Sequence, residues 1–237
     1  MGRCYVLALV MIVAFVTELT SYAWAGDIQG SVSIQSALRP RAVGKSKVRG
    51  YGSGDEGPGY GQSSSSAGDG TAPAISRELE IQYVVISLTP LSGKLKPAPG
   101  TYRMQQNYRE FKPHVLPIVR GSKVQFLNSD PFLHHIYSVS DAASFDLPKH
   151  GQGMTREVSF NRAGVVEIFC GIHSRMNAYI VVLDNNFFAM PTSNHRYQLS
   201  GVPSGNYQLR AWHPRANSVV KPVQVPASGL VQMDISL

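Results

Sequence analysis

Cysteine is nearly absent from this chain of 237 residues: there are two, Cys4 and Cys170. So few exclude a disulfide-dense scaffold, a four-cysteine zinc site and a cysteine-ligated iron–sulfur cluster. Charge is sparse as well, 16% of residues against 43% hydrophobic. That balance excludes a wholly disordered chain and a charged coiled coil. Good helix formers are scarce, and no segment sustains a helical period. The apolar run at 5–16 is too short to cross a bilayer, and Glu18 stops its extension. The formal net charge is +7, but it is spread along the chain, and no nucleic-acid-binding motif accompanies it. The expectation is a basic protein with no nucleic-acid partner and no membrane span in its mature form.

What the chain does have is glycine (22), proline (15), tyrosine (11) and many valines, a composition suited to short strands and turns. Its length fits one large domain or two small ones. Alternating or β-rich runs bounded by Gly, Pro, Asn, Asp or Ser predict strands at 28–34, 81–88, 101–106, 115–119, 123–127, 136–139, 156–160, 165–169 and 178–183. The tail adds 196–199, 207–212, 219–225 and 231–237. Many short strands with frequent turns predict an all-β architecture of sandwiches or barrels.

Residues 1–25 have the layout of a secretory signal: Arg3, an apolar run, then Ala23-Trp24-Ala25 with small residues where a peptidase reads. This predicts export to the periplasm or cell envelope. The mature chain then begins near Gly26 and carries one cysteine, Cys170. In an oxidising compartment a lone thiol is buried and inert, paired between molecules, or bound to a metal. Residues 39–74 are low in complexity and read as a disordered Gly/Ser-rich loop, because they hold too little apolar surface to offset ordering entropy. The formal Gly52-x-Gly54-x-x-Gly57 match within it lacks the strand and helix that a dinucleotide site needs.

The stretch Phe169-Cys170-Gly171-Ile172-His173-Ser174-Arg175-Met176 holds the densest chemistry. Cys170, His173 and Met176 recur every three residues at the end of an apolar strand, where a tight loop can turn all three inward. Thiolate, imidazole and thioether form a soft donor set suited to copper, and a trigonal His2Cys site with a weak axial Met needs one more imidazole. His134 is the first candidate. It follows Asn128-Ser129-Asp130-Pro131 at the start of the next strand, at a sheet end that can face the Cys170 loop. Taken singly, Cys170 and Met176 read as core residues and His173 as a loop residue; together they read as one metal site. His114, His150, His195 and His213 show no ligand spacing that would make a second site.

Around these residues, roughly 100–185, the chain resembles the cupredoxins, the plastocyanin and azurin family. The spacing Cys170-x2-His173-x2-Met176 is similar to the short ligand loop of amicyanin. The resemblance implies one type 1 copper per chain, with His134, Cys170 and His173 equatorial and Met176 axial. Asn128 stands in the approach to the first ligand. Where the family often has an Asn bracing the ligand loop, this chain has His135, a residue that either braces the site from outside or ligates directly. The tail, with Gly201-Val202-Pro203-Ser204-Gly205 between alternating strands, resembles the carboxypeptidase regulatory-like, or prealbumin-like, sandwich. Gly30-Ser31-Val32 and the valine-rich run near 84–86 resemble that family's opening strands.

The expected organisation is therefore a signal peptide at 1–25, N-terminal sandwich strands within 26–95, a Greek-key cupredoxin at 96–185 and C-terminal sandwich strands at 186–237. The cupredoxin is either inserted in a smaller prealbumin-like sandwich or sits in sequence with it. The expected function is single-electron transport by blue copper, not enzymatic catalysis, with a redox partner protein of acidic surface. A non-redox copper carrier and an envelope binding module with a vestigial copper domain are the alternatives.

Overall fold

The computed structural model describes residues 25–40 and 78–237. The signal-peptide reading and most of the 39–74 loop therefore lie outside the described residues. Arg39, at the edge of that loop, is anchored: its amide donates to the Arg215 carbonyl at 2.8 Å, and Arg215 Nε donates to the Arg39 carbonyl at 2.6 Å.

The fold is all-β. Strands β1 (Ala25–Ser33) and β2 (Val85–Pro90) precede β3 (Thr101–Asn107), β4 (Glu110–Lys112), β5 (Val115–Val119), β6 (Ser122–Asn128), β7 (Ile136–Ser140) and β8 (Ala143–Asp146). Next come β9 (Thr155–Phe160), β10 (Gly164–Cys170), β11 (Asn177–Leu183), β12 (Phe188–Ala189), β13 (Arg196–Pro203), β14 (Gly205–Trp212), β15 (Val219–Val225), β16 (Leu230–Gln232) and β17 (Ile235–Ser236). Two sheets, ordered β5-β11-β10-β7-β8 and β4-β3-β6-β9, face each other. Between them lies a core that includes Met104, Phe126, Ile136, Phe160, Ile168 and Ile180, all fully buried. The alternation of β6 (Ser122–Asn128) shows why: every second residue from Ser122 to Asn128 is buried, the period at which a pleated strand presents one face.

The outer strands make two further sheets. In one, β1 pairs with β13, β16 and β17; in the other, β2 lies between β12 and β14, with β15 at the edge. Their side chains share a second core around Ile28, Ile86, Leu199, Val202 and Leu209. Gly30 is required in β1 because a methyl there would collide with the Met233 carbonyl.

β11 is buried on both faces, as its nearly unbroken apolar run requires. Ala178, Ile180 and Val182 enter the first core. Tyr179 and Val181 turn the other way, onto Val85 and Trp212. That contact seats β11, and with it the loop that precedes it, against a second layer.

Three differences from the sequence reading have local causes. Residues 81–83 form a 3-10 turn, closed by the Val84 amide on the Ile81 carbonyl. The run 231–237 is broken into β16 and β17, because Met233 bonds Gln29 while the Asp234 side chain turns to Ser31. β8, which carries no β-branched residue, exists through its pairing with β7.

Candidate metal centre

Cys170 ends β10, and the chain then turns tightly to re-enter β11. The Cys170 amide donates to the Met176 carbonyl and the Met176 amide to the His173 carbonyl, both at 3.0 Å. This closes the loop on itself and keeps Met176, 2% exposed, in the same apolar core as Cys170. Gly171 lies outside that core; its amide donates to the His135 carbonyl at 2.8 Å. A methyl on Gly171 would collide with the His135 ring, so close approach of the two segments requires glycine here.

His134 arrives from the other segment. It is fully buried, and its backbone exchanges two bonds with His150, at 3.1 and 3.0 Å. Asn128 organises this approach. Its carboxamide donates to the carbonyls of Phe132 (2.8 Å) and His150 (2.9 Å), and its oxygen accepts the Asp130 amide (2.9 Å). All of its polar atoms are satisfied in a site that excludes water, which makes it a rigid brace.

The side chains of His134, Cys170 and His173 converge. Cys170 Sγ lies 3.6 Å from His134 Nδ1 and 3.5 Å from His173 Nδ1, and one donor atom from each residue lies within 4.8 Å of the others. Metal–thiolate and metal–imidazole bonds of about 2.3 and about 2.0 Å, set at 120°, would separate sulfur from nitrogen by about 3.7 Å. The observed separations fit a trigonal arrangement, and two imidazoles with a thiolate suit a soft ion of the copper type. Among the described residues this is the one such cluster.

Phe132 sets its edge against both imidazoles, with centroids 5.4 Å from His134 and 5.6 Å from His173. The guanidinium of Arg109 covers Phe132 at 5.0 Å. Burial, and then the nearby His134 and Arg109, pull the His173 pKa down, against an opposing effect of Asp130. A neutral His173 offers its lone pair at neutral pH. Burial pushes the Asp130 carboxyl up, but the Arg109 amide, the His134 ring and the Tyr108 amide outweigh it, and Asp130 titrates below the usual carboxylate range.

Comparison of the whole fold with solved structures finds copper proteins. The copper-containing nitrite reductase of Thermus scotoductus SA-01 is 28% identical over 41% of this chain and 26% of its own, with a TM-score of 0.34. A purple cupredoxin from Nitrosopumilus maritimus is 22% identical over 35% of this chain and 99% of its own, with a TM-score of 0.32. An oxidised amicyanin variant is 18% identical over 41% of this chain and 99% of its own, with a TM-score of 0.33. This chain thus spans about a quarter of the nitrite reductase chain that it matches. No protein-family model matches the chain, and no curated protein matches it.

The sequence-selected residues divide in their placement. His134, Cys170 and His173 come together, Met176 is buried at the end of their loop, and Asn128 braces the approach. The His135 ring does not brace the Cys170–Met176 loop: its Nε2 meets the Asp146 carboxylate, and the loop is tied by the His135 carbonyl instead. Phe132 and Arg109 have no mark in the sequence, and Asp130 is visible there only as part of the approach to His134, with no role of its own. Within Asn-Ser-Asp-Pro, Asp130 reads as a turn residue, and nothing local marks it as a partner of His134. A cleft of about 370 Å³ between β2, β11 and Trp212 lies elsewhere and contains none of the candidate donors.

Proposed function

We propose that this chain binds one copper ion through His134, Cys170, His173 and Met176 and carries single electrons between proteins of the cell envelope. The observation that carries the reading is the convergence of one thiol and two imidazole nitrogens at trigonal separations. Copper held there would supply a one-electron couple. The chain's own part is to hold the donors still. The bonds closing the Cys170–Met176 loop, and the tie from Gly171 to His135, keep the same geometry in either oxidation state, so little reorganisation accompanies transfer. The apolar core around Cys170 and Met176 excludes water from the sulfur. With four protein donors no position is left open, which favours transfer over catalysis.

His173 is half-buried, whereas His134 is fully buried, so His173 is the side of the site nearest a partner. Exposed Leu133, Met154 and Ile172 lie at the same end of the fold, with the exposed cations Arg109, Lys149 and Arg175. That surface suits a redox partner with an apolar contact ringed by acidic groups. Export to the periplasm or envelope rests on the reading of residues 1–25; among the described residues no helix is long and apolar enough to cross a membrane.

We also propose that 96–185 form a unit inserted in a prealbumin-like sandwich built from 26–95 and 186–237. The pairing of β1 with β13 and of β2 with β14 supports this.

Absorption and electron spin resonance of the Cu(II)-loaded full chain test the function. A strong thiolate charge-transfer band, rapid reversible reduction and one copper per chain are expected. A colourless protein overturns the reading, and tightly held copper that resists reduction points to a carrier without a redox role.

A further inference from the structure

The turn joining β3 to β4 lies outside the Cys170–Met176 loop, yet it reaches the metal centre. Tyr108 and Arg109, at its tip, both have left-handed backbone angles, φ 56° and 58°. Side chains with a Cβ adopt that conformation at a cost, and two in succession need a compensating contact. The compensation is a carboxylate. The Tyr108 amide donates to Asp130 Oδ1 at 2.7 Å and the Arg109 amide to Oδ2 at 3.0 Å. Oδ2 also faces His134 Nε2 at 2.8 Å. Asp130 is 4% exposed, so these donors take the place of water.

We propose that Asp130, clamped by the Tyr108–Arg109 turn, is a positioning residue that holds His134 in one tautomer and strengthens its Nδ1 as a donor. An ionised carboxylate only accepts hydrogen bonds, so Nε2 carries the ring proton and Nδ1 turns its lone pair to the Cys170 sulfur. A carboxylate on the far side of the ring also makes the imidazole more basic. The higher oxidation state of a bound metal gains most from that, so Asp130 lowers the potential. Because the amides of Tyr108 and Arg109 fix the carboxylate, the turn acts on the centre without touching it. The effect on potential rests on the copper reading above; the tautomer does not.

The test uses the full chain in two states. In the metal-free protein, nitrogen-15 NMR of the histidine rings should show His134 as a single Nε2-protonated tautomer with a slowly exchanging proton. Asp130→Ala should mix the tautomers and speed exchange. In the copper-loaded protein, Asp130→Asn should keep the colour but raise the potential, and Asp130→Ala should weaken copper binding by about 10- to 100-fold. If Asp130→Ala folds poorly, the asparagine variant and the wild-type tautomer still decide. An Nδ1-protonated His134 in the wild type, or equal potentials for wild type and Asp130→Asn, overturns the proposal. A wild type that shows the Nε2 tautomer but binds no copper overturns the copper reading and leaves the positioning role standing.

Discussion

Cys170 Sγ and His134 Nδ1 lie 3.6 Å apart across 36 residues of chain. Local contacts hold each segment, but none of them sets the distance between the two atoms. Pairing of β10 with β7, Phe169 opposite Tyr137 and Cys170 opposite Ile136, fixes the spacing. Removing the sulfur tests the centre most directly. Cys170→Ala should abolish the charge-transfer colour, while the loss of one small buried side chain costs about 1 kcal/mol of stability. Thermal unfolding of the metal-free proteins should confirm a nearly unchanged fold; an alanine variant that stays blue sinks the sulfur assignment.

Met176 is packed in the core at the end of the loop. Met176→Leu conserves volume and should cost less than about 1.5 kcal/mol in the metal-free protein. Colour should persist and the potential should shift. An unchanged potential removes Met176 from the donor set.

Asn128 holds two carbonyls and one amide in a site closed to solvent. Asn128→Ala leaves these groups without partners, at about 1–3 kcal/mol each where water does not enter. Chemical denaturation should report a loss of a few kcal/mol, and the His134 segment should lose hydrogen-exchange protection before β6 does. Protection lost evenly over the whole sheet would contradict a local brace.

Gly171 sits where a methyl would strike the His135 ring. Gly171→Ala should separate the two segments, weaken copper binding and broaden the electron spin resonance signal. Gly171→Ala combined with His135→Ala should recover much of that loss, since the colliding ring is then gone. Failure of the double variant to recover would assign the constraint to the backbone instead.

Asp234 accepts from the Ser31 amide at 2.7 Å and its hydroxyl at 2.9 Å. The Ser31 amide, then the Ser31 hydroxyl, hold its pKa below the ordinary 3.8. A carboxyl lowered in the folded state adds stability above its unfolded pKa and loses it as pH falls through the folded value. The tie between β1 and the C-terminal strands should therefore weaken below about pH 4. Between pH 7 and pH 3 the melting temperature of the wild type should fall further than that of Asp234→Asn, and parallel curves would contradict the assignment.

Most strands were legible because burial repeats every second residue, as in β6, or fills both faces, as in β11. β8 was not, since Ala-Ser-Phe-Asp has weak intrinsic preference and its neighbour β7 decides its state. Residues 81–83 differ for the opposite reason: a β-rich run also suits a short turn that buries one residue, here Ile81. His135 shows the same limit at the centre, because sequence marks its place but not whether its ring or its carbonyl serves the ligand loop.

By itself the sequence determined the all-β class and set a thiol, an imidazole and a thioether in one short stretch, since strand period and the Cys170, His173, Met176 spacing are local properties of the chain. Tertiary structure alone decided that His134 reaches the sulfur and that Asp130 and the Tyr108–Arg109 turn stand behind it. The His134–Cys170 and turn–Asp130 contacts join segments 36 and about 20 residues apart, and only the pairing of strands and the closing of a core bring such segments within hydrogen-bonding reach; Asp130 lies four residues from His134, but its side chain faces the ring only because that turn holds it.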